Sequence, residues 1–265
     1  MQDFDAKTAN AKFAMTDGAF VGNFAQIELF FKGLDGYIGL PNHQVFQQME
    51  VEHCASLDSL DTFVTTNYGG TQTNPRMEWE FVVCPVKGKK YPGIIRQADP
   101  LGRFLKDPTA VSAGLTREEV IAIRLFTGPM FMKYNARLRQ FPAALVAALK
   151  GNGFVTTIHA VVSAIIKLSR TWKIPYDRKV YRGLGGMLLP QKFWDEDAFG
   201  CRGGVELGIM STTTTRDIAI MYSGTEKGRP TILKSKSGRS TVAHLCGGSV
   251  NIRVRTRLSC PPSRI

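Results

Sequence analysis

Two short stretches carry residue types suited to chemistry. V-Y-R-G at 180–183 holds Arg182, and G-I-M-S-T-T-T-T at 208–215 holds Ser211, 29 positions later. An arginine inside a short apolar strand is costly to bury unpaired. Its planar guanidinium can meet a phosphate or carboxylate with two parallel hydrogen bonds, which would justify the placement. Gly183 beside it has no Cβ and lets a ligand approach the main chain closely. Each stretch also has an ordinary reading. An exposed edge strand accounts for the arginine, and threonine's preference for strands or the use of hydroxyls as helix N-caps accounts for the run. The order and spacing of the two together are more specific than either alone.

The elements that must position these residues follow from periodicity and caps. Helices precede position 175. Val45 to His53 reads as helical, and Thr116 with Glu119 three residues on is a capping-box signature. Val120, Ile123, Leu125 and Phe126 give that helix an apolar face, Gly128-Pro129 interrupts it, and Met130 to Arg139 resumes. A further helix is expected over 154–169, with Ile158, Val161, Val162, Ile165, Ile166 and Leu168 on its apolar face and His159 as a core or interface residue. E-W-E-F-V-V-C at 78–84 alternates as a strand would, and D-P-T-A-V-S-A-G at 107–114 reads as a linker or loop. Turn signals fall at 33–36, 40–42, 67–70 and 87–93. After 175 come short strands: K-V-Y-R-G-L, E-L-G-I-M-S-T-T and P-T-I-L-K. This order is α+β, not doubly wound. No G-x-G-x-x-G follows a strand, so a dinucleotide would not be held in the Rossmann manner.

The bulk numbers narrow the classes further. At 265 residues, 43% hydrophobic and 21% charged, the chain has an ordinary globular composition. Asp3 and Asp5 argue against a signal peptide, and the run Ala160 to Ile166 is too short to span a bilayer. A cytoplasmic protein without a membrane segment is the expectation. Five cysteines without C-x-x-C spacing read as free thiols in a reducing compartment. His43, His53 and Cys54 read as packing or surface residues, and no metal is expected, because no further ligands stand at usable spacing. The net charge of +12 is unevenly placed. Nine Lys and Arg follow Glu226 with no acid among them, which leaves 25 Lys and Arg against 22 Asp and Glu before that point. The basicity belongs to the tail.

Residues 115–237 resemble the arginine-specific mono-ADP-ribosyltransferases of the R-S-E class, related in fold to cholera-type toxins. Arg182 in V-Y-R-G matches the arginine of that pattern, and Ser211-Thr212-Thr213 matches its Ser-Thr-Ser-like triplet with threonine in the last place. L-F-T-G-P-M-F-M-K-Y-N-A-R-L-R and F-V-T-T-I-H-A-V-V-S-A-I-I-K-L are similar to the family's helical part. The resemblance implies a split antiparallel β core after the helices; residues 1–110, with their many turn signals, read as a mixed α/β region of unassigned role. It also implies NAD as substrate, transfer of ADP-ribose to a protein arginine and release of nicotinamide. Arg182 would hold the phosphates, the Gly183 main chain the nicotinamide amide, and Ser211 the catalytic glutamate. Thr212 and Thr213 would shape the strand beneath the ribose. Tyr222 has two readings, a ring near the nicotinamide or a core tyrosine.

The third element, an E-x-E pair, is absent after Ser211. Glu226 is too close to the second strand and lacks a paired acid. One permitted choice of codons for Gly238 to Pro262, read two bases out of register, encodes E-N-E followed by I-I-L-P-P, similar to the family's third element. The tail 238–265 therefore reads as lying outside the family's frame and the core as incomplete, the other reading being a genuine basic tail. The expected partner is an acceptor protein bearing arginine, with no nucleic acid. Turnover by this chain is expected near background, because the carboxylate that stabilises the oxocarbenium-like transition state is missing. A non-catalytic NAD- or partner-binding module is the alternative.

Overall fold

The computed structural model describes residues 42–54, 65–66, 72–86, 88–91, 99–171, 178–186, 189, 191–196, 204–205, 207–224, 231–236, 242–245, 250–253 and 257–258. The turns expected at 33–36 and 67–70, as well as Glu226, lie outside these residues. The chain divides into two compact units, 28–171 and 1–27 with 172–265. The division falls inside the stretch 115–237 and groups the helices up to 171 with the residues before them.

In the helical unit, α1 (Asn42–Cys54) precedes a short antiparallel pairing of β1 (Thr65–Thr66) with β2 (Gln72–Thr73). The stretch expected as a strand at 78–84 is instead helical within α2 (Pro75–Val83). Asn74 accepts a hydrogen bond from Met77 N–H at 3.0 Å, and Pro75 stands at the first helical position, where its missing donor costs nothing. Pro75, Glu78, Trp79 and Val82 are buried at helical spacing, a stripe that overrides the alternation.

α3 (Leu101–Leu105) and α4 (Pro108–Ser112) follow. The linker expected at 107–114 is thus partly helical, because the Asp107 carboxylate accepts from Thr109 N–H at 2.8 Å and Pro108 opens the turn. α5 (Arg117–Phe126) begins with the expected capping box of Thr116 and Glu119. α6 (Phe131–Arg139), α7 (Ala143–Ala148) and α8 (Val155–Thr171) complete the unit's described helices.

Two buried carboxylates tie α8 into this unit. Glu119, fully buried, accepts from the Ser163 hydroxyl at 2.6 Å and from Lys167 Nζ at 2.9 Å, while also closing its own capping box. Glu52, near the end of α1, accepts from the N–H groups of Thr156 and Thr157 at 2.8 and 3.0 Å and from the Thr157 hydroxyl at 2.6 Å. It thereby caps the first turn of α8, where main-chain donors lack partners and the helix dipole favours negative charge.

In the second unit, β3 (Lys179–Gly183) pairs antiparallel with β6 (Ile232–Lys236), Arg182 opposite Leu233. β5 (Met210–Thr212) pairs antiparallel with β8 (Val250–Arg253), which pairs in turn with β7 (Val242–Leu245). β4 (Gly204–Val205) pairs with β9 (Arg257–Leu258). α9 (Arg216–Met221) follows β5. Leu184, Phe193 and Met210 form a small core with Leu189 and Leu233 packed against it. Among the described residues the fold is thus mixed, mostly helical up to 171 and with short antiparallel strands predominating after 178. Among the described residues no helix is long and apolar enough to cross a membrane.

Candidate functional site

The strands that carry Arg182 and Ser211 meet at a single bridge. Tyr181 N–H donates to the Thr213 carbonyl at 2.7 Å, and Thr213 N–H donates back at 2.9 Å. On β3's other edge, Leu184 N–H donates to Thr231 at 2.9 Å. Main-chain groups alternate direction along a strand, so Tyr181 and Gly183 point toward β5, and Arg182 points toward β6. Continuing the bridge's register sets Gly183 opposite Ser211. There the backbone pairing gives way to a side chain. Arg182 Nη1 donates to the Ser211 carbonyl oxygen at 2.7 Å and lies 3.3 Å from the Ser211 hydroxyl. Both residues are partly buried. A guanidinium therefore stands where β3 and β5 part, a position with fixed positive charge and an adjacent hydroxyl.

The glycine-rich turn after β3 is held by the end of α9. Gly185 N–H donates to the Tyr222 carbonyl at 2.9 Å and Gly186 N–H to the Ser223 carbonyl at 2.8 Å. A Cβ on Gly183 would collide with the Ala219 carbonyl and the Tyr222 main chain, and one on Gly224 with Gly185 and Gly186. Gly185, Gly186 and Gly224 have φ of +63°, +84° and +86°, a region that disfavours side chains. What approaches Gly183 so closely is the protein's own main chain. The amides of Gly185 and Gly186 are engaged in this latch and do not form an anion-binding nest.

Within the triplet, Thr212 and Thr213 are each 6% exposed, and Ser211 alone is partly open. The Thr213 hydroxyl oxygen accepts from Thr215 N–H at 3.1 Å. Thr215 occupies the N-cap position of α9, yet it makes no side-chain cap bond there. The two threonines thus build the strand and turn around Ser211. Tyr222, 49% exposed, is not a core residue. Two features had no sequence signal of comparable strength. Ser223 is fully buried, donates through its hydroxyl to the Ile220 carbonyl at 2.6 Å, and accepts Thr231 N–H at 3.2 Å. The tail strand β8 lies along β5, with Ile252 opposite Ser211. The alternation in V-N-I-R was the only hint of it.

Among the described residues no group of three or more His, Cys, Asp or Glu is placed to hold a metal ion. In the helical unit His53 is a packed residue. Its Nδ1 donates to the Met49 carbonyl at 2.7 Å, so Nε2 accepts from the Tyr134 hydroxyl at 2.7 Å. Its ring stacks on Trp79 with centroids 5.2 Å apart. Burial lowers the imidazole's pKa to about 4, against a smaller opposing effect of the Met49 bond. Burial also lowers the fully enclosed Lys133 amine to about 8. His159 is buried on α8. No known protein family, curated protein or solved structure matches the chain.

Proposed function

We propose that the strand unit binds NAD and is of the arginine-specific mono-ADP-ribosyltransferase type, transferring ADP-ribose from NAD to a protein arginine with release of nicotinamide. The observation that carries the reading is the contact between Arg182 and Ser211, residues 29 positions apart that share one opening between β3 and β5. The fit to a dinucleotide rests on three things. The guanidinium supplies bidentate donors of the right charge for a phosphate. The Gly183 main chain is directed to the same side as Ser211. Tyr222 presents an exposed aromatic ring on the helix end that packs against Gly183.

In this reading Arg182 binds the phosphates, Gly183 meets the nicotinamide amide through its main chain, and Ser211 presents its hydroxyl beside the ribose. Thr212 and Thr213 hold the strand. The bond cleaved joins nicotinamide to the ribose, whose anomeric carbon becomes positive as nicotinamide leaves. The carboxylate that would stabilise this charge belongs to an E-x-E pair, and none follows Ser211 in this sequence. That absence favours a second reading, a module that binds NAD or a protein partner without turnover.

Calorimetric titration with NAD and an assay of nicotinamide release test both. Binding with release at the level of buffer alone supports the non-catalytic form. Release above that level which Arg182→Ala abolishes supports the enzyme. A folded protein that does not bind NAD contradicts both NAD readings.

A further inference from the structure

We infer that the tail hairpin of β7 and β8 is a positioning element for Ser211, a clamp on the edge of β5 that keeps this strand in reach of Arg182. The inference rests on the NAD-site reading for its functional consequence and on strand geometry for its structural content. β5 is three residues long, and its main-chain pairing with β3 is the bridge of Thr213, the residue just after it, with Tyr181. A strand so short has little to hold it. The alternation fixed by the bridge directs the main-chain groups of Ser211 and Thr213 toward β3 and those of Met210 and Thr212 the other way. On that other side stands β8, with Arg253 opposite Met210 and Asn251 opposite Thr212. Those two pairs exchange ladder hydrogen bonds, whereas Ile252, opposite Ser211, directs its main-chain groups away to Ala243 of β7.

The described residues of the basic tail are therefore strands of this unit, β7 and β8 beside β5 and β9 beside β4. Arg182 binds one edge of β5 at Ser211 and β8 binds the other at Met210 and Thr212, so the strand that carries Ser211 is held along both edges.

Amide hydrogen exchange on the full-length protein tests the clamp, comparing Asn251→Pro with Ile252→Pro. The first removes the donor facing Thr212, and the second removes the donor facing Ala243. Asn251→Pro is expected to speed exchange at Met210 and Thr212 by roughly fivefold for each ladder bond lost, and to weaken NAD binding by at least that factor. Ile252→Pro is expected to free the β7 amides and leave Met210 and Thr212 within about twofold, well below the loss of one ladder bond. Equal effects of the two variants on β5 would overturn the clamp. Should neither variant fold, the wild-type protein decides: Met210 and Thr212 must exchange more slowly than an unprotected chain, and full-rate exchange there overturns the proposal. Failure of the wild type to bind NAD, with selective loss of protection in Asn251→Pro, keeps the clamp and removes the NAD reading instead.

Discussion

Arg182 and Ser211 are joined by a charge-assisted hydrogen bond, Nη1 to the main-chain carbonyl at 2.7 Å, with the Ser211 hydroxyl 3.3 Å from the same nitrogen. The bond stands where a backbone pair between Gly183 and Ser211 would otherwise close the sheet. It makes one side chain both a structural strut and the positive charge of the site.

Substituting Arg182 separates these two roles. Arg182→Lys retains the charge and loses the planar fork. Its expected cost in stability is about 1.5–3 kcal/mol, the net value of a hydrogen bond from a charged group, read from the urea midpoint. Its NAD affinity is expected to fall by about tenfold or more, since a point charge replaces bidentate phosphate contact. A lysine variant that binds NAD as well as the wild type would show that the fork is not used.

Gly183 and Gly102 make a matched pair of alanine substitutions. A Cβ on Gly183 meets main-chain atoms of Ala219 and Tyr222, whereas a Cβ on Gly102 in α3 meets nothing within 4 Å. Gly183→Ala is expected to destabilise by about 1–3 kcal/mol or more, as overpacking against backbone does. Gly102→Ala is expected to stabilise by about 0.5–1 kcal/mol through helix propensity. Chemical denaturation of the two variants reads both signs.

Glu52→Ala is expected to lose about 1–3 kcal/mol, because it strips the α8 N-terminus of a buried acceptor for two main-chain donors and a hydroxyl. Glu52→Gln keeps one acceptor oxygen and is expected to lose less. Protection of the Thr156 and Thr157 amides in exchange experiments reports the cap directly.

Stability should depend on pH in two windows. His53 is held neutral with its pKa lowered from 6.5 to about 4, so between these values the unfolded chain binds the extra proton. Stability is therefore full above about pH 6.5 and falls as pH drops through about 4, by on the order of 3 kcal/mol. Lys133, lowered from 10.5 to about 8, acts in the same sense at higher pH. Its burial costs stability below about pH 8, and that cost is relieved as pH rises toward 10.5. Urea midpoints measured from pH 4 to 7 should flatten in His53→Phe, and those from pH 8 to 10 should flatten in Lys133→Met.

The sequence made the local features legible and left the long-range ones dark. The capping box at Thr116 and Glu119, the break at Gly128-Pro129 and the apolar face of α8 are written in neighbouring residues, and the helices form where these signals stand. At 78–84 and 107–114 the same local chemistry gives helix where the residue pattern suggests strand and loop. There, Asn74-Pro75 and Asp107-Pro108 are helix openers that outweighed the alternation of one segment and the loop-like composition of the other. A charge and a hydroxyl run inside apolar strands call for partners, and Arg182 and Ser211 partner each other. Glu52 could not be matched to α8 from sequence, since its bonds span more than 100 positions and a carboxylate near a helix end has no directional signature. The pairing of β8 with β5 has no local signature for the same reason: strand partners are chosen by the whole fold.

In the proposed function Arg182 and Ser211 mark an NAD site. The most direct measurement is calorimetric titration of NAD into the full-length protein and into Arg182→Ala, each confirmed folded by circular dichroism. Saturable binding is expected for the first and affinity reduced about tenfold or more for the second, as loss of a charge-assisted bidentate contact requires. Equal affinities in the two proteins, or no binding to the folded wild type, would contradict it.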